Sequence, residues 1–132
     1  MNVYDFDKTI FYPDSMMLFA AFCIRRHPTL RFTYYRRLRN AIVGYGFGRV
    51  KEQTLHARLN SVVKYLKHPE QDIAKFWKKY EKNISKWYLQ QKQPDDLIIS
   101  ASPTYLLKPI AEKLGVKLIA TEVDMETGVM IG

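Results

Sequence analysis

The sequence has little with which to build a cross-linked or zinc-bound scaffold. Its 132 residues include one cysteine, Cys23, so no disulfide can form within the chain. The three histidines, His27, His56 and His68, are scattered without the spacing of zinc ligands. Long hydrophobic runs are lacking too. Met16 to Ile24 is too short to span a bilayer and lacks the charged amino-terminal region of a secretory leader, so the cytoplasm is the expected location. Internal repeats and low-complexity tracts are absent. The glycines Gly44, Gly46 and Gly48 follow no strand-like run, so they read as a turn between helices and not as a phosphate-binding loop.

What is present is concentrated at the two ends. At 47% hydrophobic, the chain can bury one core with a small subdomain. Near the amino terminus, the apolar run Asn2-Val3-Tyr4 leads into Asp5-Phe6-Asp7-Lys8-Thr9. Residues alternate faces along a strand, so Asp5 and Asp7 can project from the same side of its carboxyl end. Open α/β sheets bind ligands at that end. Two carboxylates held together repel unless a cation or a shared proton offsets them. The pair therefore points to a Mg²⁺ site, to a nucleophile beside a general acid, or to both. The plainer alternative is that Asp and Thr only open a turn or cap a helix.

A second run, Leu97-Ile98-Ile99-Ser100-Ala101-Ser102-Pro103-Thr104, follows Pro94-Asp95-Asp96 and is too short for a helix. Ser102 reads as a helix N-cap, with Pro103 at the first helical position and Gly115 as the stop. Pro109 is expected to kink that helix or to mark a short first turn. A hydroxyl at a strand end, followed by a helix amino terminus, suits a phosphate group. An ordinary strand–turn–helix unit would look the same.

Taken together, the carboxylate pair and this cradle resemble the haloacid dehalogenase superfamily of aspartate-nucleophile phosphohydrolases. Asp5-Phe6-Asp7-Lys8-Thr9 looks like its first motif and Ile98-Ile99-Ser100 like its second. Ser100 through Pro109-Ile110-Ala111 to Leu114-Gly115 is similar to the phosphoserine-phosphatase-like branch, which places a helical cap between the motifs. The resemblance implies that Asp5 attacks phosphorus and carries an aspartyl-phosphate, and that Asp7 protonates the leaving oxygen and later helps deprotonate water. Ser100, with the backbone N–H groups of Phe6 and Ala101, would hold phosphoryl oxygens. A magnesium ion, Mg²⁺, would be held at Asp5 and Asp7, with the backbone carbonyl of Asp7 as a ligand. Lys8 stands where many relatives have glycine and is assigned no catalytic role.

The lysine of the family's third motif and the acids of its fourth find no match. Lys108, Lys113 and Lys117 read as solvated charges, and Asp95 and Asp96 precede their strand. The chain is therefore expected to be an amino-terminal portion of a longer phosphatase, weak or inactive alone. On that reading Val3 to Phe6 forms an exposed apolar edge open to self-association.

The expected fold is α/β, an incomplete Rossmann-like parallel sheet core, residues 1–13 and 93–132, with an inserted all-helical cap, residues 14–92. Asp14-Ser15 can cap a helix through Ile24, and Thr29 can start a second that stops near Gly44 to Gly46. A third helix would carry Leu55, Leu59, Val62 and Leu66 on one stripe. A fourth would carry Ile73, Phe76, Trp77, Tyr80, Ile84 and Trp87. Tyr34 and Tyr35 are candidates to line a substrate pocket. Residues 25–92 hold 17 of the 21 basic residues but only Glu52, Glu70, Asp72 and Glu81 as acids.

Three functional readings follow. The favoured one is a Mg²⁺-dependent hydrolase of a small phosphorylated substrate. The alternative is a basic helical module that binds nucleic acid or an anionic membrane surface, with vestigial aspartates. The last is a noncatalytic fragment acting by association.

Overall fold

Residues 2–131 are described by the structure, a computed structural model. Three parallel strands, β1 (Val3–Asp5), β2 (Leu97–Pro103) and β3 (Lys117–Thr121), form a sheet in that order. Val3 pairs with Leu97, Asp5 with Ile99, and Ile99 with Ile119, so the carboxyl ends of all three strands lie together. Parallel strands need crossover connections. Between β2 and β3 this is α6 (Thr104–Leu114), whose Leu106, Leu107, Ile110 and Leu114 bury one sheet face with Ile98. Gly115 ends α6 in the left-handed conformation, φ 73°, as a glycine stop requires. The other face of the sheet stays open, leaving Val3, Ile99 and Ile119 exposed. This is an incomplete Rossmann-like core with a helical cap.

The β1-to-β2 crossover is the helical part. It comprises α1 (Ser15–Arg26), α2 (Tyr34–Gly46), α3 (Glu52–Asn60), α4 (Pro69–Tyr80) and α5 (Lys86–Gln91). Asp14 caps α1 by accepting from the Met17 N–H at 3.0 Å. Phe19, Tyr34, Leu59, Val62, Phe76 and Tyr88 join Phe6, Phe11 and Ile98 in one hydrophobic cluster, so helices and sheet share a core. No helix among the described residues is long and apolar enough to cross a membrane.

Several expectations are corrected. The second helix begins at Tyr34, because Pro28–Arg31 forms a separate 3₁₀ turn. The third stripe is buried throughout, but its helix tightens to 3₁₀ over Ser61–Tyr65, where the Ser61 hydroxyl donates to the Arg58 carbonyl at 2.7 Å. The expected fourth helix is broken after Tyr80. Ile84 leaves helical geometry to bridge Phe11, and the Ser85 N–H donates to the Ile10 carbonyl. Trp87 consequently lies outside the core, 43% exposed. Tyr34 is fully buried, its hydroxyl donating to the Leu59 carbonyl at 2.9 Å, so it lines no substrate pocket. Nor are Val3 to Phe6 uniformly exposed. Phe6 is buried, and Tyr4 packs against Trp87 and Tyr88.

Candidate active site

Strand alternation brings the motif residues together. β1 ends at Asp5, which is exposed and whose Oδ1 accepts the Phe6 N–H at 3.0 Å. Phe6 points into the core and stacks on Phe11, leaving Asp5 and Asp7 out of it. The chain then coils tightly, with the N–H groups of Thr9, Ile10 and Phe11 all donating to the Phe6 carbonyl. This coil returns the chain so that α1 begins beside Asp7.

Asp7 is the hub. Its Oδ1 accepts the Ser15 hydroxyl at 2.5 Å and the Ser15 N–H at 2.8 Å. Its Oδ2 accepts the hydroxyls of Ser102 at 2.6 Å and Ser100 at 3.3 Å. Ser15 is the first residue of α1, so its N–H has no partner within the helix and is free for a carboxylate. Ser100 and Ser102 stand two apart on β2 and therefore share a face. The β2–β3 register shifts between Ile99 and Pro103, and the Ser102 N–H bonds the Ser100 hydroxyl at 3.0 Å.

Ser102 is thus not the N-cap the sequence suggested. β2 continues through Pro103, which occupies the cap position without a side-chain bond, and α6 starts at Thr104. The Asp7 carboxylate takes the Ser102 hydroxyl instead. Ser15 was missed as a partner of Asp7 for a related reason. It was read only as a cap, and nothing local shows that a strand end reaches it from eight residues before.

Beside Asp7 lies a cavity of about 40 Å³, bordered by Asp14, His56, Leu59, Asn60 and Ser102. Asn60 is 2% exposed, and its amide nitrogen has no hydrogen-bond partner. That nitrogen can donate to an acceptor atom of a ligand there. Neither Asn60 nor His56 stood out in the sequence, since both fall within an ordinary amphipathic stripe.

The remaining charged candidates lie away from this cluster. Lys108, Lys113 and Lys117 are exposed, and Lys113 pairs with Glu81 at 2.6 Å. Asp96 is buried ahead of β2, where its Oδ2 accepts the Gln93 N–H at 2.8 Å. Among the described residues no lysine ion-pairs with Asp5 or Asp7, and no group of three or more His, Cys, Asp or Glu could hold a metal.

A model of the haloacid dehalogenase-like hydrolase family matches residues 3–132, which include both motifs. The chain belongs to this family. The chain also shares its fold with a Bordetella pertussis Tohama I protein of unknown function. That crystal structure aligns with a TM-score of 0.80 at 19% identity, over 100% of this chain and 66% of the other. The chain thus spans 66% of that protein's length. No curated protein matches it.

Proposed function

We propose that this chain carries the nucleophile-bearing part of a phosphomonoester hydrolase of the phosphoserine-phosphatase-like branch. The supporting observation is the pairing of an exposed carboxylate, Asp5, with a hydrogen-bonded one, Asp7, at the strand ends beside Ser100. Exposure leaves Asp5 accessible to attack phosphorus, forming an aspartyl-phosphate as the alcohol departs. Asp7, fixed by three serines, is placed to give a proton to the leaving oxygen and then to accept one from water. Ser100 and the N–H groups of Phe6 and Ala101 would bind the phosphoryl oxygens, the Phe6 N–H leaving Asp5 to do so.

The donor set suits Mg²⁺ in kind, because Asp5 and the Asp7 carbonyl supply the hard oxygens that this ion takes beside phosphate and water. Bound there, the ion would offset the repulsion between Asp5 and an anionic substrate. Because no group of three or more His, Cys, Asp or Glu among the described residues could hold a metal, and no lysine among them pairs with Asp5, weak turnover is expected. The proposed organisation is a core of residues 1–13 and 93–132 with a cap of residues 14–92, acting in the cytoplasm.

Hydrolysis of p-nitrophenyl phosphate, with and without Mg²⁺, tests the reading. Slow Mg²⁺-dependent turnover that disappears in Asp5→Asn is the expected result. Turnover that persists in Asp5→Asn at the wild-type rate would remove Asp5 as the nucleophile.

A further inference from the structure

The outer face of α2 combines two features that the hydrolase reading leaves unused. From Arg25 to Lys51 the sequence has eight basic residues and no Asp or Glu. α2 buries Tyr34, Leu38, Ala41 and Gly44. At 3.6 residues per turn, the opposite stripe is then Tyr35, Arg36, Arg39, Ile42 and Val43. Tyr35, Ile42 and Val43 are all exposed, Val43 by half. Just beyond the two helix ends, Phe32 is 78% exposed and Phe47 is 75% exposed. Arg31, Arg36, Arg37, Arg39 and Arg49 form no ion pair among the described residues. Arg49 instead lies over the Phe47 ring, 5.8 Å from its centre.

A merely solvated face has no use for two phenylalanines at such exposure. A face built to pack on another helix would not carry unpaired arginines through its middle. Nucleic acid would engage the arginines and aromatic rings, but offers nothing to Ile42 and Val43. An interface of anionic headgroups over acyl chains satisfies every member. Its apolar layer takes the rings and aliphatic groups, while arginines keep their guanidinium groups at the phosphates. We propose that the outer face of α2, from Phe32 to Phe47, docks on an anionic membrane surface. Phe32 and Phe47 enter the acyl boundary with Ile42 and Val43, and Arg36 and Arg39 bind headgroup phosphates. Behind this face, Tyr34 bonds the carbonyl of Leu59, which borders the Asp7 cavity, so the docked surface lies one helix layer from the candidate site. Docking does not involve Asp5.

Co-sedimentation of the full chain with vesicles tests the proposal. Binding is expected to vesicles of mixed phosphatidylcholine and phosphatidylglycerol, and to be far weaker with phosphatidylcholine alone. The Arg36→Gln, Arg39→Gln pair should weaken binding about five-fold per arginine. The Phe32→Ser, Phe47→Ser pair should remove the binding that survives high salt. All four side chains are exposed, so unchanged melting of these variants shows that folding is intact. Asp5→Asn should bind like the wild type, whether or not Asp5 is a nucleophile. Equal binding to both vesicle types overturns the proposal, as does a phenylalanine pair that binds like the wild type. Tighter binding to single-stranded RNA would assign the face to nucleic acid. A dimer that the phenylalanine substitutions dissociate would assign it to a second copy of the chain.

Discussion

Lys8 follows Asp7 with φ 62°, in the left-handed region that costs an L-residue about 1–2 kcal/mol and glycine almost nothing. The tight coil after β1 imposes that angle, since the Lys8 N–H must reach the Phe11 carbonyl at 2.8 Å. Lys8→Gly is expected to stabilise the protein by about 1 kcal/mol, read as a higher urea midpoint at unchanged slope. Ser102 argues the other way, because its side chain, not its backbone, is committed. Ser102→Ala removes a 2.6 Å bond to a carboxylate and should cost about 1–2 kcal/mol in thermal or urea unfolding. If Asp7 acts as the acid, the same change should lower kcat on p-nitrophenyl phosphate more than it raises KM, since Ser102 orients Asp7 without anchoring the substrate.

Periodicity foretold which residues the helices bury better than where the helices end. Leu55, Leu59, Val62 and Leu66 are all buried although a 3₁₀ turn replaces half of the expected helix, because a tightened turn keeps roughly the same face inward. The stripe from Ile73 to Trp87 fails at its last member. Ile84 pairs with Phe11 and Asn83 donates to the Tyr12 carbonyl at 2.7 Å, so the chain straightens and the phase of α5 is reset. Ile84→Ala should therefore cost about 2–4 kcal/mol, a buried truncation, while Trp87→Ala should cost about 1 kcal/mol or less. Equal losses in urea unfolding would mean that the stripe was continuous after all. α6 shows the opposite tolerance. It runs unbroken through Pro109, and in that turn the Leu106 carbonyl accepts the Trp77 indole N–H at 2.7 Å.

Across the whole molecule, the shared core places several ionisable groups out of water. Burial, reinforced by Asp96, pushes the Tyr88 hydroxyl up to about 12. Burial likewise raises Tyr34, Tyr105 and the Cys23 thiol well above their ordinary values. In the unfolded chain, the tyrosines ionise near pH 10 and the cysteine near pH 8.5, while the native state still holds these protons. The native state then binds more protons than the unfolded one, so stability falls as pH rises. Each group contributes a loss of about 1.4 kcal/mol per pH unit above its unfolded value. Urea midpoints measured from about pH 8 to 11 should be level at first and then drop ever more steeply. A midpoint that stays level to pH 11 would show that these groups are not sequestered.

Much of the design was legible because it is local. Alternation along β1 and β2 put Asp5, Asp7 and Ser100 at strand ends, and apolar spacing marked the buried sides of the helices. The Asp14 cap and the Gly115 stop were readable from residue type alone. Tertiary structure decided what depends on distant parts of the chain meeting. Ser15 and Ser102, 87 residues apart, close on one carboxylate only after β1, α1 and β2 assemble. Asn60 becomes a buried, unpartnered amide only when α3 meets the strand ends. Which face of α2 stays bare was likewise set by its packing on α3. Local propensity acts over a few residues, whereas burial and polar pairing are settled by the whole fold.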